Sequence, residues 1–226
     1  MQLYIGNKNY SSWSLRPWLL MRQAGIAFEE VKLRLSFDEG SPFKHALEAV
    51  APTGKVPVLV DDGFAVWDTL AIAEYLAEKF PDKGLWPAGQ RDRARARSLC
   101  AEMHAGFAAL RNHFPMNIEA SLPEVGAAKL REVPEVGRDV ARIAEQWTGQ
   151  LAVSGGPFQF GDFGIVDAYF APVCSRVRTY GVPLIEAAAA YAQQVLELPA
   201  MQQWDREARA EGDFLPFDEP YRVARI

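Results

Sequence analysis

Two serines stand side by side in Asn9-Tyr10-Ser11-Ser12-Trp13-Ser14-Leu15-Arg16, a hydroxyl-rich stretch that leads into the apolar periodicity of a helix. A helix N-terminus has unspent main-chain N–H groups and the positive end of the peptide dipoles, and a hydroxyl donor placed there favours an anion over its neutral form. Two further segments carry groups suited to a polar ligand. In Lys55-Val56-Pro57 a proline opens an apolar strand, and in Asp68-Thr69-Leu70-Ala71-Ile72-Ala73-Glu74-Tyr75-Leu76 polar groups occupy the mouth of another helix. Each segment also has an ordinary reading: serines cap helices, prolines start edge strands, and Asp68 is a good N-cap. Metal and disulfide chemistry find no such pattern. His45, His104 and His113 lack ligand spacing, and Cys100 and Cys174 fit no CxxC or zinc arrangement and fall in helical stripes as small core residues.

The elements that must position these groups follow from the periodicity. Leu3-Tyr4-Ile5 reads as a short strand, and a loop runs from Gly6 to Tyr10. A helix is expected to begin near Ser14, with Ser14 as its cap, because Pro17 belongs in a first turn. Leu15, Trp18 and Leu19 give that helix its buried stripe, and Phe28 to Leu33 reads as a second strand, completing a βαβ unit. Ser41-Pro42 opens a short helix. Val56 to Val60 and Phe64 to Trp67 flank Asp61-Asp62-Gly63, a hairpin signal, and a helix capped by Asp68 follows with Ile72, Tyr75, Leu76 and Phe80 on one face. Breakers fill 81–87. Beyond them Leu99, Met103, Phe107, Leu110 and Phe114 recur at helical steps, as do Val136, Val140, Ile143, Trp147 and Leu151, and 165–180, 185–196 and 199–210 add further helices. The expected architecture is a thioredoxin-like βαβ-ββα domain over 1–80, a linker over 81–87 and an all-helical domain over 88–226.

Composition narrows the function. The 226 residues are 49% hydrophobic and 23% charged with a formal charge of −5, a globular balance without the basic footprint of a nucleic-acid binder. No apolar run approaches the roughly 20 residues that cross a bilayer, and the opening residues do not read as a secretory leader, so a cytoplasmic setting is expected.

In order and spacing the three polar segments, with the helical half behind them, resemble the cytosolic glutathione S-transferase family over nearly the whole chain. The Ser-Ser-x-Ser-x-Arg loop is most similar to the zeta class, whose loop reads Ser-Ser-Cys-x-x-Arg; Trp13 stands in the place of that cysteine. The resemblance implies glutathione as co-substrate, no metal, and a homodimer. It implies that Ser11, with Ser12 beside it as the second candidate, donates a hydrogen bond to the glutathione sulfur. It further implies that Val56, before a cis Pro57, pairs through its backbone with the cysteinyl residue, that Asp68 and Thr69 (the latter by N–H and hydroxyl) meet the γ-glutamyl end, and that Lys55 reaches the glycyl carboxylate. A free thiol has a pKa of about 8.5, each unit of lowering takes about 1.4 kcal/mol, and one charge-assisted hydrogen bond contributes about 1.5–3 kcal/mol, so a serine donor has the required size. Phe163-Gly164-Ile165-Val166-Asp167 resembles the family's folding motif with Gly164 in place of its hydroxyl cap; Asp167 is structural in this reading. The helical domain would form a hydrophobic pocket, with Phe107, Arg111 and Phe114 as candidate walls. Arg91, Arg93, Arg95 and Arg97 read as solvated or intersubunit charges.

Three functions follow. The leading one is conjugation of glutathione to a small hydrophobic electrophile. The second is glutathione-dependent isomerisation or dehalogenation of the zeta type, which Trp13 disfavours. The third is a non-catalytic glutathione-binding or interaction module. Thiol oxidoreduction is disfavoured because the first domain has no cysteine.

Overall fold

The computed structural model describes residues 1–225. Strand β1 (Gln2–Ile5) is joined through helix α1 (Ser12–Gln23) to the parallel strand β2 (Glu29–Lys32). Helix α2 (Pro42–Glu48) follows, with Ser41 at its N-cap accepting from the Lys44 N–H at 3.3 Å. Strands β3 (Val58–Asp61) and β4 (Phe64–Trp67) are antiparallel, and β3 runs antiparallel to β1, giving the order β2-β1-β3-β4. Their two-residue turn places both Asp62 (φ 48°) and Gly63 (φ 83°) in the left-handed region, as a hairpin twisted like its strands requires. Helix α3 (Thr69–Lys79) completes the thioredoxin-like domain.

The remainder is helical: α4 (Gln90–Ala105), α5 (Ala108–His113), α6 (Pro123–Glu132), α7 (Pro134–Ser154), α8 (Ile165–Tyr180), α9 (Glu186–Leu196) and α10 (Pro199–Ala210). The stripe from Leu99 to Phe114 is two helices rather than one. Phe107 takes φ 56°, the chain turns at Gly106, and the turn delivers the Phe107 ring to the core at 7% exposure. Helix α6 carries no strong apolar stripe, yet it packs closely because a Cβ on Gly126 would lie 1.8 Å from the Tyr180 carbonyl oxygen.

Helix α1 begins two residues before Ser14. The Asn7 carbonyl accepts from the Tyr10 and Ser11 N–H groups, the Ser11 carbonyl accepts from Leu15, and this turn starts the helix at Ser12. Pro17 is therefore past the first turn, and the Trp13 carbonyl lacks the N–H it would otherwise receive from that position. Ser14 is no cap: it is fully buried, and its Oγ accepts from the Gly6 N–H at 3.1 Å and from the Ser11 hydroxyl at 2.7 Å.

Residues 14–21 of α1 are all buried, because α1 lies between the sheet and α8 and joins the two halves in one continuous apolar core that includes Leu3, Trp18, Trp147 and Trp204. The loop before α1 is fastened at its other side. Buried Lys8 ion-pairs with Glu30 at 2.7 Å and with Glu207, Asn7 donates to Asp213 at 3.1 Å, and the Tyr10 hydroxyl donates to Glu219 at 2.7 Å.

At the start of α8, Asp167 accepts from the N–H groups of Gly164 (2.9 Å) and Gln159 (3.2 Å) and from the Tyr191 hydroxyl (2.8 Å). Its role is the structural one expected. Replacing Asp167 by Ala strands three donors, two of them buried, and denaturant unfolding is expected to register a loss of about 3 kcal/mol or more.

Candidate functional site

The loop ahead of α1, the turn before β3 and the mouth of α3 are brought together by the β1–β3–β4 ladder. Between them lies a cleft of about 530 Å³ lined by Trp13, Lys55, Val56, Pro57, Asp68 and Thr69, with Thr53 and Trp67 at its margin. The Val56–Pro57 bond is cis. A second pocket of about 430 Å³ shares Trp13, Lys55 and Val56 with the first. Ser11 and Ser12 line this second pocket and not the first; they directly precede Trp13, which lines both.

Ser11 and Ser12 differ in how their hydroxyls are engaged. Ser11, 8% exposed, occupies the N-cap position of α1 without capping it; its hydroxyl donates to Ser14. The ordinary cap reading of Ser11 is thereby removed. A ligand sulfur could take that donor if the hydroxyl turned, since Ser14 would keep the Gly6 N–H. Ser12 is the first helical residue and is half-buried beside the same pocket.

At the mouth of α3, Asp68 has φ 72° and ψ 135°, a conformation that costs a non-glycine residue about 1–3 kcal/mol. Its Oδ1 caps the Leu70 N–H at 2.8 Å, and its Oδ2 lies 3.3 Å from His104 Nε2. Thr69 is 2% exposed, and its hydroxyl shares a hydrogen bond of 2.7 Å with the Tyr169 hydroxyl, in which either oxygen can donate. Thr69 has its main-chain N–H to offer a ligand, and its hydroxyl proton too when Tyr169 is the donor in their contact. Lys55 is exposed at the rim of both spaces.

Positive charge is concentrated below and beside Trp13. The Arg16 guanidinium lies 4.2 Å from the Trp13 ring centroid and 4.5 Å from that of Tyr169, and Arg111 lies 4.8 Å from Trp13. The His104 ring meets Trp13 edge-on at 5.0 Å. Arg16 is 3% exposed with Nε and Nη1 lacking any partner, and burial pulls it down to about 10, with Arg111 adding repulsion. Arg176 is brought to about 9, chiefly by burial and then by Arg16 and Arg111; its Nε donates to the Phe114 carbonyl at 2.7 Å. Arg111 is lowered by burial, and its Nη1 donates to the His104 and Gly106 carbonyls at 3.0 and 3.4 Å. Among the described residues none of the three guanidiniums pairs with a carboxylate.

Arg111 and Arg176 line the second pocket, each held by main-chain carbonyls through one nitrogen. Of the three wall candidates only Arg111 takes that place; Phe107 and Phe114 are core residues at 7% and 0% exposure. The apolar part of the pocket comes instead from Phe37, Phe43, Pro115 and Met116. Sequence reasoning passes over Arg176 although it carries a signal: a guanidinium directly follows Val173, Cys174 and Ser175 at the end of the buried run 165–176 of α8. Tyr169 left no signal, because its hydroxyl finds Thr69 only in three dimensions.

Residues 10–79 match the family described as glutathione S-transferase, N-terminal domain. A protein of Pseudomonas aeruginosa named maleylacetoacetate isomerase is 29% identical over 192 residues, covering 81% of this chain and 84% of that protein. A sphingomonad glutathione S-transferase, solved in complex with glutathione, is 26% identical with a TM-score of 0.67, covering 92% of this chain and 98% of that one. The fold is also shared with a maleyl pyruvate isomerase described as a bacterial glutathione S-transferase of the zeta class, with a TM-score of 0.67 at 23% identity over 90% of this chain and 96% of that one.

A buried cation without a carboxylate is a burden on folding. Exchanging Arg16 for Met, of similar volume, is expected to leave stability equal or raise it by about 1–4 kcal/mol. Thermal and denaturant unfolding check this; a clear loss would mean the aromatic sandwich outweighs the desolvation of the charge.

Proposed function

We propose, on the premise that this chain carries a glutathione S-transferase N-terminal domain over residues 10–79, that it is an enzyme that binds glutathione in the Trp13–Val56–Thr69 cleft and directs the sulfur at a small electrophile in the neighbouring pocket. The observation that carries this reading is the meeting of three polar segments, distant in sequence, at one cleft that opens beside an apolar-walled pocket. The main-chain N–H of Thr69 suits the γ-glutamyl carboxylate at the mouth of α3, and Asp68 suits its ammonium. The backbone of Val56 suits the cysteinyl residue, and Lys55 the glycyl carboxylate.

In this mechanism the sulfur lies at the N-terminus of α1. The Ser11 hydroxyl turns from Ser14 to donate to the thiolate, with Ser12 the neighbouring candidate, and the helix dipole adds to the stabilisation. The serine remains a hydrogen-bond donor and never becomes a nucleophile. The thiolate then attacks the electrophilic carbon, held close by the pocket walls. Arg111 and Arg176 suit an acceptor whose apolar body carries an anionic group, since each has N–H groups left over and no carboxylate of its own.

Glutathione-dependent isomerisation is the second reading, favoured by the likeness to the Pseudomonas aeruginosa protein. It consumes no glutathione, so product analysis separates it from conjugation. A homodimer is also proposed: β4 is a sheet edge, and its Phe64 and Trp67 are 62% and 42% exposed.

Retention on immobilised glutathione together with conjugation of an aryl halide tests the reading; retention without turnover under any acceptor would make the protein a binding module. Replacing Ser11 by Ala is expected to raise the pKa of bound glutathione by about 1–2 units and lower neutral-pH turnover about 10–100-fold, with binding largely kept. The rising limb of the pH–rate profile should move to higher pH accordingly. The same effect from Ser12→Ala alone would transfer the role to Ser12.

A further inference from the structure

The second pocket holds an acid that nothing so far uses. Asp218 lines it together with Ser11, Ser12, Arg111 and Arg176, yet its carboxyl makes no hydrogen bond or ion pair among the described residues. That is unusual in a segment whose other acids are all engaged: Asp213 pairs with Arg34 at 2.8 Å, and Glu219 takes the Tyr10 hydroxyl and Arg222. Asp218 ends a turn of 3-10 helix, Pro216–Asp218, whose position is set from both sides. On one side the Phe217 ring meets Phe37 at 4.8 Å; on the other Glu219 is tied to Tyr10 of the loop before α1. The carboxyl is thus held over the acceptor space without being consumed by the fold.

We propose that Asp218 is a catalytic acid of the acceptor pocket, giving the proton that completes addition of the glutathione thiolate to an alkene conjugated with a carbonyl group. The proposal rests on the glutathione reading above. In this step the sulfur forms a bond to the β-carbon, the alkene π pair moves onto the α-carbon and carbonyl as an enolate, and the Asp218 carboxyl gives its proton to the α-carbon. The aspartate left behind is reprotonated by water. An aryl halide needs no such donor, because halide departure completes the substitution, and a double-bond isomerisation gains no proton overall.

The protonation state fits the task. Burial, and then the negative charge of Glu219, push Asp218 up to about 6, so an acid form persists near neutrality. The other charged or titratable side chains lining this pocket are Tyr10, Lys44, Lys55, Arg111 and Arg176. Tyr10 is itself pushed up to about 12 by burial and by Glu219, which leaves Asp218 as the acid that can turn over near neutral pH.

The test compares two acceptors at saturating glutathione: benzoylacrylate, an alkene conjugated with a ketone, and chlorodinitrobenzene. Asp218→Asn is expected to lower kcat on benzoylacrylate about 100-fold, at least about tenfold more than on chlorodinitrobenzene, and Asp218→Glu to recover part of the difference. Wild-type kcat on benzoylacrylate should fall as pH rises through about 6, and that limb should vanish in Asp218→Asn. Equal losses on both acceptors, or an unaltered pH profile, would overturn the proposal. If the wild type turns over neither acceptor and fails to bind glutathione, the glutathione reading falls and takes this proposal with it.

Discussion

The serine side of the site is set by helix α1, and α1 is packed on every side. From Ser14 to Met21 it has no exposed residue, being enclosed by the sheet on one side and by α8 and α10 on the other. A helix buried all round fixes both its axis and its rotation, so the direction in which its first N–H groups point is set by the packing of the whole molecule. The cost falls on the polar groups that come along. Gly6, Ser11 and Ser14 resolve theirs by a short chain of hydrogen bonds. Arg16 does not, and its charge remains beneath the cleft with aromatic faces for company.

Charge in this protein follows two regimes. Lys8, as deeply buried as Arg16, meets Glu30 and Glu207 and serves to fasten a loop. Arg16, Arg111 and Arg176 lie at or beneath the two spaces and meet no carboxylate among the described residues. Lys8 is thus neutralised by two acids, whereas Arg16 rests on aromatic rings and Arg111 and Arg176 on main-chain carbonyls. Among the described residues the Asp218 carboxyl is likewise without a partner, and it lines the same pocket as Arg111 and Arg176 without pairing with either.

Much of the architecture was legible because it rests on local rules. Asp62-Gly63 dictates the hairpin, Ser41-Pro42 the start of α2, and Asp68 the start of α3, each through backbone geometry that neighbouring residues cannot change. The start of α1 was misplaced because the Pro17 rule speaks only of preference, whereas burial of α1 stabilises the helix enough to accept a missing N–H bond. The grouping of Lys55, Val56, Pro57, Asp68 and Thr69 around one cleft could be read from two of the three segments; the first brings Trp13 to that cleft and its serines Ser11 and Ser12 to the neighbouring pocket. The hydroxyl state of Thr69 could not, because its partner Tyr169 lies 100 positions away. Nor could the polarity of the acceptor pocket: helical spacing marks Phe107 and Phe114 as apolar, and only the kink at Phe107 reveals that they turn to the core and leave Arg111 at the wall.

The ties between residues 7–10 and 207–219 also bear on the order in which the protein takes shape. Asn7, Lys8 and Tyr10 are separated from their partners Asp213, Glu207 and Glu219 by 206, 199 and 209 positions, so the two sides of each contact are synthesised at well separated times. The sheet and α3 can assemble early, as an N-terminal unit does during translation. The loop that presents the serines must wait, with a lysine and its future counter-charges still apart, until residues 207–219 arrive to lock it.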